Sequence, residues 1–546
     1  MKRRKFIKLT STASAIGLLP IQLKASLNFL NNFSNCNFLG RKIVLIELKG
    51  GNDGLNTIIP INVYDEYMDL RPTTHIPISS LNFLSSIDPS ILGTNQDIAF
   101  HPALSGMFNL FSEGQLRIIQ SVGYPNSNKS HFASIDIYNT GNDGNNWNNG
   151  QSSGWIGRFL ENHYQNLLPN NYPMGIQIGS TNTSLGFHGE KEHGLAVNLS
   201  GQDSENFYSI LSGLAGEYPN NFPSSDYGTE LQYIVNTDRV SNIYAQAISD
   251  SFNAGSNYQG ANYPDNDLAN QLKTVARLIR GGIQTKVYLV RIGGFDTHNN
   301  QVQGIGDIQG KHYNLLDELS TAVEAFSKDL NSDSIGDDVV GITISEFGRK
   351  AKENGSLGTD HGEVAPVFVF GKPIMGGISG VNVDLSEATE DNNFQIETVQ
   401  FDYRQTLATI MQDFLASDNL SIDNTFKDNL NSSSFINAKI QNLLKPSYIV
   451  PESCYNVNLE NDPKYWEIFP NPFEEFFNVI VLSDNTNENS EYNMVNQNGQ
   501  IVKKGNLIFN SGAAQVHLPN LKAGLYTLTV KNSTASQSFK LIGGVI

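Results

Sequence analysis

Four short polar motifs hold the residues best equipped for chemistry: Gly50-Gly51-Asn52-Asp53-Gly54, Asp296-Thr297-His298, Ser345-Glu346-Phe347-Gly348 and Thr359-Asp360-His361-Gly362. Carboxylates and imidazoles gathered at strand ends are what a divalent metal site is built from. Each motif adjoins an apolar run that reads as a buried strand. Arg41 to Lys49 precedes the first, Thr285 to Ile292 the second and Asp338 to Ser345 the third, while Val364 to Phe370 follows the fourth. Taken singly, each motif also has a purely structural reading. Asn, Asp and Gly form turns, Asp296 and His298 can cap one another, and Glu346 can cap a helix. The pair Asp360-His361 is harder to dismiss, because an acid and an imidazole before a buried strand are costly to bury without a partner. The motifs make one site only if their strands share a sheet edge.

The segments between these strands read as helices that cover a sheet. From Tyr313 to Leu330, apolar residues Leu315, Leu316, Leu319, Val323 and Phe326 fall at helical spacing, and Tyr403 to Phe414 repeats the pattern. Strand and helix in alternation predict an α/β domain with a mostly parallel sheet and helices on both faces. Ligands bind such sheets at the carboxyl ends of the strands, where three of the four motifs would lie. Asn128-Lys129-Ser130-His131-Phe132 stands just before a helix-like stretch from Ala133 to Tyr138. A Ser130 hydroxyl there would have backbone N–H groups to hold a transferring oxyanion, or would serve only as an N-cap. His131 could be a third metal ligand or a general acid, and His312 reads as a further candidate or as a polar residue at a helix start.

Composition narrows the function. Against 54 acidic residues stand 36 basic ones, a net charge of -18, and no Lys/Arg-rich stretch follows the first few residues, so nucleic acid is not an expected partner. The chain has 546 residues, enough for a large α/β domain and an accessory module. Cys36 and Cys454 are the only cysteines and could close one long disulfide.

Both ends read as addresses. Lys2-Arg3-Arg4-Lys5-Phe6-Ile7-Lys8 precedes a mild apolar stretch from Leu9 to Leu23, too short and too rich in Ser and Thr to span a membrane. Residues 1–25 therefore resemble a twin-arginine signal peptide, which implies passage through the twin-arginine translocase as a folded protein. At the far end come Phe469-Pro470-Asn471-Pro472-Phe473, an Asn498-Gly499-Gln500 hairpin turn, Gly524-Leu525-Tyr526 and Lys540-Leu541. Alternating strands with regular turn signals predict a small all-β sandwich over 466–546. That stretch resembles the type A C-terminal sorting domain of the type IX secretion system of Bacteroidetes-like bacteria. The resemblance implies export through the periplasm to the outer-membrane surface or the medium. Residues 431–465 have little periodicity and read as a linker.

Residues 40–430 carry a further resemblance. Asn52-Asp53-Gly54, His101-Pro102-Ala103-Leu104, Ser130-His131-Phe132, Gly154-Trp155-Ile156-Gly157-Arg158, Asp296-Thr297-His298, Ser345-Glu346-Phe347-Gly348-Arg349, Thr359-Asp360-His361-Gly362 and Asp402-Tyr403-Arg404, in that order, are similar to the secreted family called domain of unknown function 1501. It is placed in the alkaline-phosphatase-like superfamily, whose phosphatases and sulfatases use metals around a Ser or Thr nucleophile. The resemblance implies metal ligands at Asp53, Asp296, His298, Glu346, Asp360 and His361. If Ser130 is the nucleophile, with His131 beside it, a bound cation would lower its hydroxyl pKa while Arg158 or Arg349 grips the ester oxyanion. Where the superfamily carries Asp-His-Gly, this chain has Glu346-Phe347-Gly348, and Phe347 cannot ligate. The expectation is an exported hydrolase of phosphate or sulfate esters, small or polymeric, that uses a divalent metal. Zinc leads, with manganese, magnesium or calcium as alternatives. A catalytically degenerate surface binding or structural protein is the competing expectation.

Overall fold

The computed structural model describes residues 38–81, 96–145, 153–165, 171–179, 185–190, 196–198, 226–426, 439–455, 466–469, 471, 473–481, 490–496, 500–509, 513–532 and 536–544. The signal-like residues 1–25 lie outside them.

Among the described residues, thirteen strands precede residue 431. They are β1 (Lys42–Lys49), β2 (Ile58–Pro60), β3 (Ile98–Phe100), β4 (Leu116–Gly123), β5 (Gly175–Gln177), β6 (Ala196–Asn198), β7 (Val287–Gly293), β8 (Val339–Ile344), β9 (Arg349–Glu353), β10 (Thr359–His361), β11 (Ala365–Phe370), β12 (Gly377–Ser379) and β13 (Phe401–Asp402). The main sheet runs β12, β4, β11, β8, β1, β7, β5, β6, with β13 also paired to β4. From β8 to β6 every neighbouring pair is parallel. Strand β11 runs against both β8 and β4, so the sheet is mostly parallel, as its sequence predicts, with one reversed strand. The reversal has a functional consequence: the start of β11, not its end, reaches the carboxyl edge of β1, β7 and β8.

Each face of the sheet buries a separate core. Val44, Ile46 and Leu48 of β1 face one side, and Ile43 and Leu45 the other, all at most 1 % exposed. Burying these five side chains contributes on the order of 10 kcal/mol before conformational entropy is counted. Helices α1 (Ser105–Ser112), α4 (Asp267–Arg280) and α5 (Lys311–Asn331) close the first core with residues such as Leu272, Leu319 and Val323. Helices α2 (His131–Thr140), α3 (Trp155–His163), α6 (Tyr403–Asp413) and α7 (Asn419–Thr425) close the second with Ile137, Phe159, Leu407 and Ile422. α6 begins in a capping box: the Asp402 side chain accepts from the Arg404 backbone, and the Gln405 side chain accepts from Asp402 N–H. No helix among the described residues is long and apolar enough to cross a membrane.

The C-terminal strands are β14 (Trp466–Phe469), β15 (Phe476–Val481), β16 (Glu491–Asn496), β17 (Ile501–Asn506), β18 (Ala513–His517), β19 (Gly524–Lys531) and β20 (Ser536–Gly543). They form two antiparallel sheets, β14-β15-β18 and β17-β16-β19-β20, that share one core including Trp466, Phe477, Met494, Leu528 and Leu541. This is the expected small sandwich. The turn residues Asn498 and Gly499 lie outside the described residues.

The stretch read as a linker differs from its expectation over 439–455. Ile440, Leu443 and Leu444 are buried in the second core, Leu444 bridges to Ile374, and Val450 N–H donates to Asp413 O. Apolar residues without regular spacing can pack as a strap, which periodicity does not detect. Cys454, buried in that strap, is disulfide-bonded and is one of only two cysteines in the chain. Cys36 lies outside the described residues.

Candidate metal centre

Five segments meet at the carboxyl edge of the parallel strands: the Gly50–Asp53 loop after β1, Phe295–His298 after β7, Ser345–Gly348 after β8, β10 before the reversed β11, and Lys129–His131 at the start of α2. Two glycines let the first loop approach the others. Gly50 has φ +124, and a Cβ there would sit 2.2 Å from Asp296 N; Gly51 has φ +85, and its Cβ would sit 2.5 Å from the Phe347 ring.

Arg349, the first residue of β9, ties these segments together. Its side chain is fully buried. Nε donates to Gly51 O at 2.9 Å and Nη1 to Thr359 O at 2.9 Å. Nη2 donates to Gly50 O, to Phe295 O at 3.0 Å and to Asp296 Oδ1 at 2.7 Å. A guanidinium so committed holds protein rather than an ester.

His131, Asp296 and His361 converge, with one ligand atom from each lying within 4.8 Å of the others. His131 Nδ1 is 2.9 Å from Glu346 Oε1, which also accepts from Gly50 N–H at 2.7 Å. His361 Nδ1 is 2.8 Å from Lys129 O. A carboxylate and a carbonyl only accept, so both Nδ1 atoms carry the proton and both Nε2 atoms present their second position to Asp296. His131 Nε2 lies 3.5 Å from Asp296 Oδ2 without hydrogen-bond geometry and is buried with no other partner among the described residues; His361 Nε2 lies 3.3 Å from Asp296 Oδ1. His298 Nδ1 is 2.7 Å from that same oxygen, and its ring is 4.6 Å from that of His361. Phe347 underlies the pair, its ring 4.9 Å from His131 and 4.6 Å from His361.

The electrostatics follow from these contacts. The hydrogen bond to Glu346 raises the His131 pKa above its ordinary value. Burial lowers that of His361. Burial works to raise the Asp296 carboxyl, but the hydrogen bond and charge of Arg349 outweigh it and hold the group well below the usual carboxylate range. Asp296 remains 48 % exposed, so the cluster opens to solvent. Two Nε2 atoms and an ionised carboxylate, with both Nδ1 protons anchored from behind, fit a divalent cation such as zinc.

The other sequence-predicted residues fall elsewhere. Asp53 is fully buried, and its oxygens accept from Arg71 at 2.6 and 2.9 Å and from Gln301 at 2.5 Å, so the structure closes it in an ion pair apart from the cluster. Burial works to raise this carboxyl, but Arg71 keeps it lowered. Asp360 is taken up by Lys350 at 3.3 Å and Asn354 at 3.2 Å. Arg158 is buried away from the edge, donating to Thr425 O, Ser153 O and Thr140 O, where it joins α3 to the ends of α2 and α7. His312 is buried with Nε2 3.3 Å from Asn52 Oδ1. Ser130 sits at the N-cap of α2, exposed and without a side-chain cap bond, next to His131. Sequence reasoning missed Arg71 and Gln301, which close Asp53, and Lys129, whose carbonyl orients His361. Only the need of a buried Asp for a counter-charge pointed to the first.

The family described as "Protein of unknown function (DUF1501)" matches residues 40–419, and the chain belongs to it. Residues 467–543 match the secretion system C-terminal sorting domain, which points to the type IX secretion system and to export. No curated protein matches the chain. Among solved structures it is similar to an alkaline phosphatase superfamily protein from Vibrio parahaemolyticus, at 10% identity, covering 88% of this chain and 82% of that one with a TM-score of 0.26. It is also similar to a sulfatase from Pseudoalteromonas sp., at 10% identity, 91% and 88% coverage and a TM-score of 0.30. An alkaline phosphatase from the Antarctic bacterium TAB5 matches at 13% identity, 62% and 94% coverage and a TM-score of 0.26. These likenesses are too distant to carry an activity to this chain.

Proposed function

We propose that this protein is an exported metal-dependent hydrolase of phosphate or sulfate esters, with His131, Asp296 and His361 holding the cation and His298 beside them. The observation that supports it most is the pair of imidazoles whose Nδ1 protons are fixed by Glu346 and Lys129 O while Nε2 faces Asp296. A divalent cation there would supply Lewis acidity toward an ester oxygen. The chain's own residues do the rest. Glu346 and the Lys129 carbonyl hold the rings in one tautomer, and Arg349 holds Asp296 ionised and in place. Ser130, at the N-cap of α2 with no side-chain cap bond among the described residues, is the proposed nucleophile. The half-exposed Asp296 leaves the centre accessible from solvent. Asp53, Asp360 and Arg158 have structural roles in this reading.

One observation favours the second reading, a surface metal-binding protein without catalysis. Arg349 and Arg158 are both committed to the protein's own acceptors, and Lys129 is paired with Glu363 at 2.7 Å, so the described residues offer little to grip an anionic ester. Release of phosphate or sulfate from a panel of monoesters, with and without added zinc or manganese, separates the two. The hydrolase reading expects metal-stimulated release that falls at least about 100-fold in Ser130→Ala with metal content unchanged. No release from any ester by metal-loaded wild type leaves the binding-protein reading.

A further inference from the structure

Gln301, three residues after His298, bridges the two segments that carry Asp296 and His361. Its Nε2 donates to Asp53 Oδ2 at 2.5 Å, and its Oε1 accepts from Thr297 Oγ1 and from Thr359 Oγ1, each at 2.9 Å. The partners fix this orientation. An ionised Asp53 only accepts, so the amide nitrogen must face it and the amide oxygen must face the two hydroxyls. Asp53, Thr297, Gln301 and Thr359 are all 0 % exposed, so bulk water does not compete for these bonds.

The two threonines belong to the segments that build the centre. Thr297 stands between Asp296 and His298, and Thr359 begins β10, which ends in His361. Thr359 N–H also donates to Thr297 O at 3.2 Å. One oxygen shared by two hydroxyls holds the segments at a set spacing, because hydrogen bonds tolerate only a narrow range of lengths and angles. A cation is as exacting, since it takes its ligands within about 0.2 Å of their preferred distances. A side chain needed only to fill this space could be apolar; a buried amide and two buried hydroxyls are tolerated only when all are bonded.

We propose that Gln301 is a positioning residue of the metal centre. Through Thr297 and Thr359 it sets the spacing of Asp296 and His361, and through Asp53 it anchors both to the closed Arg71 pair. The inference rests on the centre of His131, Asp296 and His361, and not on ester cleavage. The test is the zinc affinity of the full chain, by competition with a chromophoric chelator, with the folding of each variant checked by circular dichroism. Gln301→Met keeps the volume but removes acceptor and donor, and zinc should bind about 10–100-fold more weakly. Thr297→Val and Thr359→Val are milder, each deleting one hydroxyl, and each should weaken zinc about fivefold. In the Gln301→Met background Thr297→Val should add no further loss, since its acceptor is already gone. Leu407→Ala, in the second core, should lower stability and keep wild-type zinc affinity, which separates positioning from general loosening. Zinc affinity of Gln301→Met within about twofold of wild type, or an undiminished loss from Thr297→Val in the Gln301→Met background, would overturn the bridge. If Gln301→Met does not fold, the two threonine variants decide, and unchanged affinity in both overturns it. Wild type that takes up no zinc overturns centre and bridge together, whereas equal binding by wild type and Gln301→Met overturns the bridge alone. Ester release from the same samples shows separately whether the hydrolase reading holds.

Discussion

Asp53 and Asp296 follow neighbouring parallel strands, β1 and β7, and each lies against an arginine, yet the molecule uses them in opposite ways. Asp53 is sealed: both oxygens are taken by Arg71 and Gln301, and no part of it meets solvent. Asp296 is open: Arg349 holds one oxygen, two histidines approach it with Nε2, and 48 % of the side chain is exposed. The difference teaches that a strand-end carboxylate is structural or functional according to how completely its partners close it. A closed carboxylate stabilises the fold; a half-closed one keeps capacity for a ligand.

The comparison breaks most visibly on the closed side. Asp53→Asn leaves the Arg71 guanidinium buried without its counter-charge, and stability should fall by roughly 3–5 kcal/mol in urea denaturation. Acid attacks the same side. Burial lowers His312 to about 4 and His101 well below its ordinary 6.5, and the two rings meet edge to face at 5.8 Å. The unfolded chain then binds protons that the folded one refuses, so stability is complete above about pH 6.5 and falls as pH drops toward 4. The loss for His312 is on the order of 3 kcal/mol. A denaturation midpoint that is flat between pH 6.5 and 4.5 would contradict neutral burial.

On the open side the effects appear in ligand binding rather than folding. Glu346→Ala frees the His131 ring, and zinc affinity should drop about 10–100-fold by competition with a chromophoric chelator. The smallest expected change is the stability of Asp296→Asn, within about 1 kcal/mol of wild type, because this carboxylate is half in water and Arg349 keeps its backbone carbonyl acceptors. A loss as large as that of Asp53→Asn would mean that the two carboxylates do the same work.

Much of this was legible in the sequence, and the gaps have physical causes. The apolar runs of β1, β7, β8 and β11 announce themselves because buried parallel strands need unbroken hydrophobicity. Asp296, His298 and His361 could be named because each borders such a run. His361 precedes its strand rather than following it, and joins the same edge only because β11 is reversed, which is a pairing between distant segments. Asp53-Gly54 and Asp296-Thr297 look equivalent on paper; what separates them is Arg71 and Gln301, brought in from 18 and 248 residues away. Arg349 reads as an anion grip until its acceptors, supplied by three other segments, are seen to fill it. The strap over 439–455 hid because its buried residues follow no period.

The most direct test is metal content, by mass spectrometry, of protein purified without chelators, for wild type and for the Asp296→Ala, His361→Ala double variant, with folding checked on both. Stoichiometric divalent metal in wild type that is lost in the folded double variant is the predicted result. Metal absent from wild type even after incubation with zinc or manganese, or retained in full by the double variant, would contradict a centre built on His131, Asp296 and His361.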